Sequence, residues 1–182
     1  MPPVPIDQHS RPNRWGRRSY STSAAPPALT HVDERGSARM VAVSSKPETH
    51  RTATATCRVL LNPLARALVL SDGRERKGDV LATARIAGIM AAKRTSELIP
   101  LCHPIILDHV AVNLVLGDDG VDIEARVECV GRTGVEMEAM TAAAVAGLTV
   151  YDMVKAVDRA ASVTSVKVTS KTGGKSDWAA SN

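Results

Sequence analysis

The chain has 182 residues, about one domain's worth of sequence, with 23 Lys+Arg against 19 Asp+Glu and a formal net charge of +4. A hydrophobic fraction of 44% can fill a core, but 2% aromatics and no Phe exclude a single-strand nucleic-acid surface built on stacking platforms. No apolar run reaches the roughly 20 residues of a membrane-spanning helix, and Cys57, Cys102 and Cys129, odd in number and widely spaced, speak against a disulfide framework or a Cys-x-x-Cys zinc site.

Residues 1–28 read as a tail. They hold Arg11, Arg14, Arg17 and Arg18 against Asp7 alone, a charge of +3 that leaves only +1 for the rest of the chain. Arg17–Ala24 is rich in Arg and Ser and free of acids, the composition of a mitochondrial transit peptide. Pro2, Pro3, Pro5 and Pro12 weaken the amphipathic helix such a peptide needs, and a plain disordered extension is the alternative. The mitochondrial matrix goes with the first reading and the cytoplasm with the second. Residues 29–182 read as one globular domain.

Within that domain Arg39–Ser45 suggests a short strand and Arg51–Leu61, rich in Thr and Val, a longer one. Asn62-Pro63 has the form of a helix cap followed by a first-turn proline, with Leu64, Leu68, Val69 and Leu70 as the apolar side of a short helix. Gly78–Ile99 predicts a long helix, capped by Asp79, with Val80, Ala84, Ala87, Met90 and Ala91 at helical spacing, and Pro100 ends it. Ile105–Leu116 and Val121–Val130 predict a hairpin around Gly117-Asp118-Asp119-Gly120, the second strand alternating strictly between apolar and charged residues. Glu136–Ala160 predicts a second long helix, dense in Ala and Gly, and Val163–Ser170 a last strand. Helices segregated against a largely antiparallel sheet make an α+β sandwich.

Five segments carry chemistry that a scaffold does not need. Arg74–Asp79, containing Lys77, places basic residues at a helix start and suits an oxyanion or phosphate, against the plainer reading of a solvated loop. Leu101-Cys102-His103-Pro104 offers a histidine stiffened by flanking prolines; acid–base work, a structural histidine and a metal ligand all remain open, although no companion ligand lies nearby. Gly131–Glu138 leads a polar loop into a helix whose Glu136 and Glu138, two apart, diverge on a regular helix or splay around a pocket mouth. Asp152 and Lys155, three apart, form either a weak surface ion pair or a buried acid–base pair whose lysine is tuned towards neutrality. Lys171–Lys175 is a glycine-flexible loop with two lysines and no P-loop spacing. Together these residues suit a small anionic substrate handled by proton transfer.

The wording of LTHVDERGSARMV, KGDVLATARIAGIMAAKRTSELIPLCHP, TGVEMEAMTAA, LTVYDMVKAV and SKTGGKSDW closely resembles the molybdenum-cofactor biosynthesis protein C family, the cyclic pyranopterin monophosphate synthases, from about Leu29 to Trp178. The resemblance implies a ferredoxin-like α+β fold with an antiparallel sheet against two long helices. It implies a homohexamer built as a trimer of dimers, with sites at subunit interfaces. The implied reaction converts 3′,8-cyclo-7,8-dihydroguanosine triphosphate to cyclic pyranopterin monophosphate with loss of diphosphate, downstream of a radical SAM GTP cyclase. Matched residue by residue, Leu101, Cys102, His103, Met137 and Glu138 contact substrate, Asp152 is the catalytic aspartate, and Lys77, Glu136, Lys155 and Lys171 are the other polar pocket residues. On this reading Asp152, Lys77 and Lys155 carry the catalysis. No metal site, cofactor, nucleic acid or membrane is expected, apart from Mg2+ accompanying the triphosphate. The competing readings are a basic nucleic-acid-binding module, which a body charge of +1 makes weak, and a metal-dependent phosphohydrolase, which needs a carboxylate/His cluster absent from the sequence pattern.

Overall fold

The computed structural model describes residues 29–70 and 80–180. The elements are β1 (Thr49–Leu60), α1 (Pro63–Leu70), α2 (Val80–Ala92), α3 (Thr95–Leu98), β2 (His109–Leu116), β3 (Gly120–Gly131), α4 (Glu136–Val154), β4 (Ser162–Thr172) and β5 (Trp178–Ala179). The strands form one antiparallel sheet in the order β2-β3-β1-β4-β5. Helices α2 and α4 pack against each other and against one face of that sheet, the expected ferredoxin-like α+β arrangement.

Period-2 alternation sets the register. Ala53, Ala55, Cys57 and Val59 of β1 are buried opposite Val127, Ala125, Ile123 and Val121 of β3. A one-residue slip would turn both rows to solvent. With no Phe to fill space, the helical layer lies close to the sheet. A Cβ on Gly147 would sit 2.8 Å from Cys57 Sγ, and one on Gly88 would sit 2.8 Å from the Ala142 carbonyl oxygen. Ala139, Ala142, Ala143 and Ala146 complete the buried stripe of α4.

Several boundaries differ from the sequence reading, each for a local reason. Arg39–Ser45 forms no strand; among the described residues before β1 the only β pairing is an isolated bridge, Val32 to Ala38. The first long helix stops at Ala92, because the buried Thr95 hydroxyl donates to the Ala92 carbonyl at 3.0 Å and Arg94 N–H bonds to Ala91 O, tightening the last turn. Its capping residue Asp79 lies outside the described residues. Met90 is exposed and Gly88 takes its place in the buried stripe. In α1 the buried residues are Ala65 and Val69, while Leu64, Leu68 and Leu70 face out. Strand β2 starts at His109, four residues later than Ile105.

The second long helix ends at Val154, not Ala160. Asp158 is buried and its carboxylate accepts the Asn62 backbone N–H at 2.7 Å. Asn62 in turn caps α1, its side-chain oxygen accepting the Ala65 N–H at 2.8 Å. The end of α4 is thereby pinned to the β1–α1 junction. Replacing Gly88 with Leu is expected to lower the unfolding free energy by about 1–3 kcal/mol through overpacking. Urea unfolding of the variant checks this, and unchanged stability would mean that α2 can move away from α4.

Candidate functional site

Two clefts open at the end of the sandwich where α4 begins. The first, about 270 Å³, is lined by Leu101, Cys102 and His103 from the α3–β2 loop, by Thr133 and Gly134, and by Glu136, Met137 and Glu138 from the first turn of α4. The α3–β2 loop is tied down at both ends. Cys102 N–H bonds to Ile99 O at 3.1 Å, and the Asp108 carboxylate accepts the Val130 N–H at 2.7 Å. The cap position of α4 is Val135, which has no side-chain oxygen to satisfy the first-turn N–H groups.

Glu136 and Glu138 diverge, as their spacing requires. Glu138 is only 3% exposed. Burial, with a smaller contribution from the Glu136 charge, pushes its carboxyl up to about 7, against a partial offset from a backbone hydrogen bond. A carboxyl at that value can hold or release a proton near neutrality. The Cys102 thiol is also pushed up, by burial and then by the Glu138 charge, so it remains a thiol and is poorly suited to nucleophilic attack.

The second cleft, about 400 Å³, runs alongside. It is lined by five cationic side chains, Lys46, Arg51, Arg132, Lys171 and Lys175, against the single carboxylate of Glu136. Lys171 Nζ lies 3.0 Å from Glu136 Oε1. Arg51 donates from Nε to Gly131 O at 3.1 Å, and Arg132 pairs with Glu48 at 3.4 Å. The Gly173 loop closes one side. At φ +80° it has a conformation suited to glycine, and a Cβ there would fall 1.8 Å from the His50 carbonyl oxygen. Thr49 Oγ1 donates to Gly173 O at 2.7 Å, and Asp177 accepts the Gly173 N–H at 2.9 Å. Thr133, Gly134 and Glu136 line both clefts, so the two lie side by side and share those residues.

The structure thus brings together Leu101, Cys102, His103, Glu136, Met137, Glu138 and Lys171. It does not bring Asp152 and Lys155 to them within one chain. At 1.5 Å of rise per residue, Asp152 sits about 21 Å along α4 from Glu138. The pair is exposed, with Lys155 Nζ 2.6 Å from Asp152 Oδ1. The Asp152 hydrogen bond and charge raise the Lys155 value, the opposite of the tuning towards neutrality that a buried pair would show. Lys77 lies outside the described residues.

His31, Lys46 and Arg51 also line the clefts, and the sequence reading had not named them; Arg132 and Lys175 stood only within segments it singled out. For Arg51 a signal was present. It stands in phase with Ala53, Ala55, Cys57 and Val59, on the buried face of β1, where a cation has no place in a core. Among the described residues no group of three or more His, Cys, Asp or Glu is placed to hold a metal ion. No helix there is long and apolar enough to cross a membrane.

An α+β sandwich with a cationic groove beside a cleft holding a buried carboxyl has the chemistry suited to a small anionic ligand and to proton exchange near neutrality. The model of the MoaC family matches residues 40–174, and the chain belongs to that family. A cyclic pyranopterin monophosphate synthase of Thermomicrobium roseum is 61% identical over 150 residues, covering 81% of this chain and 90% of that protein. Those of Streptomyces avermitilis and Brucella ovis are 57% and 55% identical, covering 90% and 85% of this chain and 98% and 94% of theirs.

The Glu138 assignment fixes a pH dependence. The folded chain keeps this proton up to about pH 7, whereas an unperturbed glutamate releases it near 4.5, so folding binds a proton in that window. Stability therefore falls as pH rises from about 4.5 to 7. In Glu138→Gln this contribution is absent. The variant's stability relative to wild type is expected to climb across the window, by at most about 1.4 kcal/mol per pH unit. Chemical denaturation at a series of pH values checks this, and parallel profiles would contradict the assignment.

Proposed function

We propose that this chain is a cyclic pyranopterin monophosphate synthase of molybdenum-cofactor biosynthesis. It is a phosphorus–oxygen lyase that converts (8S)-3′,8-cyclo-7,8-dihydroguanosine 5′-triphosphate to cyclic pyranopterin monophosphate and diphosphate by general acid/base catalysis. The observation that carries the reading is the adjacency of the five-cation groove and the Glu138 cleft, which share Thr133, Gly134 and Glu136. A triphosphate needs the first and a proton-handling centre the second. The names of the relatives point the same way.

In this reading Lys171, with Lys77 assigned from the resemblance, neutralises the triphosphate. Leu101, Cys102, His103, Met137 and Glu138 hold the purine-derived part and the sugar, and Glu136 orients Lys171. Asp152 and Lys155 act as the acid–base pair, but from a second copy of the chain. The support for that division is the length of α4, which leaves the pair too far from Glu138 to share one substrate within a protomer. Sites shared between copies fit a homohexamer arranged as a trimer of dimers. No resident cofactor is required, and Mg2+ enters with the triphosphate. The substrate comes from a radical SAM GTP cyclase. The bacterial relatives favour the cytoplasm over a mitochondrial matrix.

The first test is mass detection of the pyranopterin product after incubation with the cyclised triphosphate. Asp152→Asn, Lys155→Ala and Glu138→Ala are each expected to lose about 100-fold or more in turnover. Near-wild-type turnover by both Asp152→Asn and Lys155→Ala would remove the acid–base assignment. Co-assembly of Lys155→Ala with Glu138→Ala subunits tests the sharing. Random pairing restores one intact site in each mixed dimer, about a quarter of wild-type activity. Activity no higher than that of the separate variants rules the shared site out.

A further inference from the structure

We propose that His31 is a substrate-contacting residue of the Leu101–His103 cleft, its Nε2 accepting a hydrogen bond from an N–H or O–H group of the purine-derived ligand. The proposal rests on the functional reading above and adds a residue to that site. Its first support is position. His31 comes from the segment before β1, yet it lines the same cleft as Cys102, His103 and Glu138.

The second support is the way the segment is held. Its residues Glu34–Met40 are exposed, so core burial does not shape it. Polar bonds do. The Asp33 carboxylate accepts the N–H of Arg35 at 2.9 Å and of Ser37 at 2.8 Å. Asp33 N–H bonds to Ser37 O at 2.9 Å, Gly36 N–H to Asp33 O at 3.0 Å and Arg39 N–H to His31 O at 2.9 Å. Gly36 takes φ +81°, and Val32 bridges to Ala38. The closed turn holds the backbone of His31, and its side chain, in contact with Arg39 O, lines the cleft.

The third support is the ring itself. His31 Nδ1 lies 3.3 Å from the Arg39 carbonyl oxygen. A carbonyl only accepts, so the contact places a proton on Nδ1. In the neutral ring Nε2 is then the acceptor. The cleft wall also holds a Cys102 thiol and a Glu138 carboxyl that keeps its proton up to about 7. Both are donors, and the His31 Nε2 adds to the acceptors of the same cleft, the Glu136 carboxylate among them, one that can take an N–H or O–H group of the ligand.

Three substitutions separate contact from scaffolding. The Asn amide reproduces the Nδ1 position and can keep the bond to Arg39. The Gln amide reaches the Nε2 position and offers a carbonyl oxygen there. With the cyclised triphosphate as substrate, His31→Ala and His31→Asn are expected to raise KM about tenfold, the worth of one hydrogen bond. Their kcat should stay within about twofold, and His31→Gln should recover most of the affinity. Wild-type behaviour of Asn with impairment of Gln would reduce His31 to a turn residue and overturn the proposal, as would three variants indistinguishable from wild type. If wild-type protein fails to turn over the cyclised triphosphate, the functional reading fails separately. The imidazole nitrogen NMR shifts of His31 during titration with GTP then decide the contact: a shift confined to Nε2 sustains it, and no shift overturns it.

Discussion

The site depends on one packing constraint, the close approach of α4 to the sheet and to α2. Gly147 against Cys57 and Gly88 against the Ala142 carbonyl leave no room for a Cβ. An interior this dense transmits position along the helix, because α4 cannot slide without opening voids or creating clashes. Its first turn is therefore fixed over the ends of β1 and β4. There Arg51 and Lys171 stand near the ends of the helix-facing rows, Lys171 paired in register with Ala53. A core without Phe gives up aromatic contact area and relies on small residues whose layers fit closely.

The same geometry puts opposite electrostatic demands side by side. Glu138 is carried inward by its position on the helix, and losing water raises its carboxyl into the neutral range. Glu136, two residues earlier, turns to the cationic groove and pairs with Lys171. One turn of helix thus supplies a carboxyl suited to hold a proton and a carboxylate suited to steady a lysine. Net charge conceals this. The groove's five cations come from three separate stretches of chain, and acids elsewhere leave the globular part near +1.

Most of the fold was readable because β3 alternates without a break and the two helices carry apolar stripes of sufficient length. Boundaries were less readable because they depend on single long-range bonds. Nothing near residue 158 in the sequence announces that Asp158 will reach Asn62 and end α4 early. Arg39–Ser45 has the composition of a strand, but no neighbouring strand accepts it. In the site, the Leu101–His103 and Glu136–Glu138 stretches stood out by their residue types and by resemblance. Arg51 could have been found from its phase in β1. Lys46 could not, since it precedes any regular element and reaches the groove only through the path of the loop.

The Asp152–Lys155 pair, exposed at the far end of α4, is the feature on which the proposed sharing of the site between copies turns. Exposed to water, an ion pair at this spacing contributes little and leaves its lysine charged at any ordinary pH. Acid–base exchange needs a lysine that gives up its proton more readily. Desolvation is the force that moves a lysine that way. Among the described residues the Asp152 and Lys155 side chains are left exposed, whereas Glu138 in its cleft is buried. Bringing the two ends of α4 together from different copies would bury the pair against that cleft. It would set Asp152 and Lys155 beside a triphosphate and give the lysine the environment its chemistry requires. In the proposed shared site the small residues that hold α4 rigid would serve catalysis as well as folding, because a helix can align two copies through its two ends only if it keeps its shape.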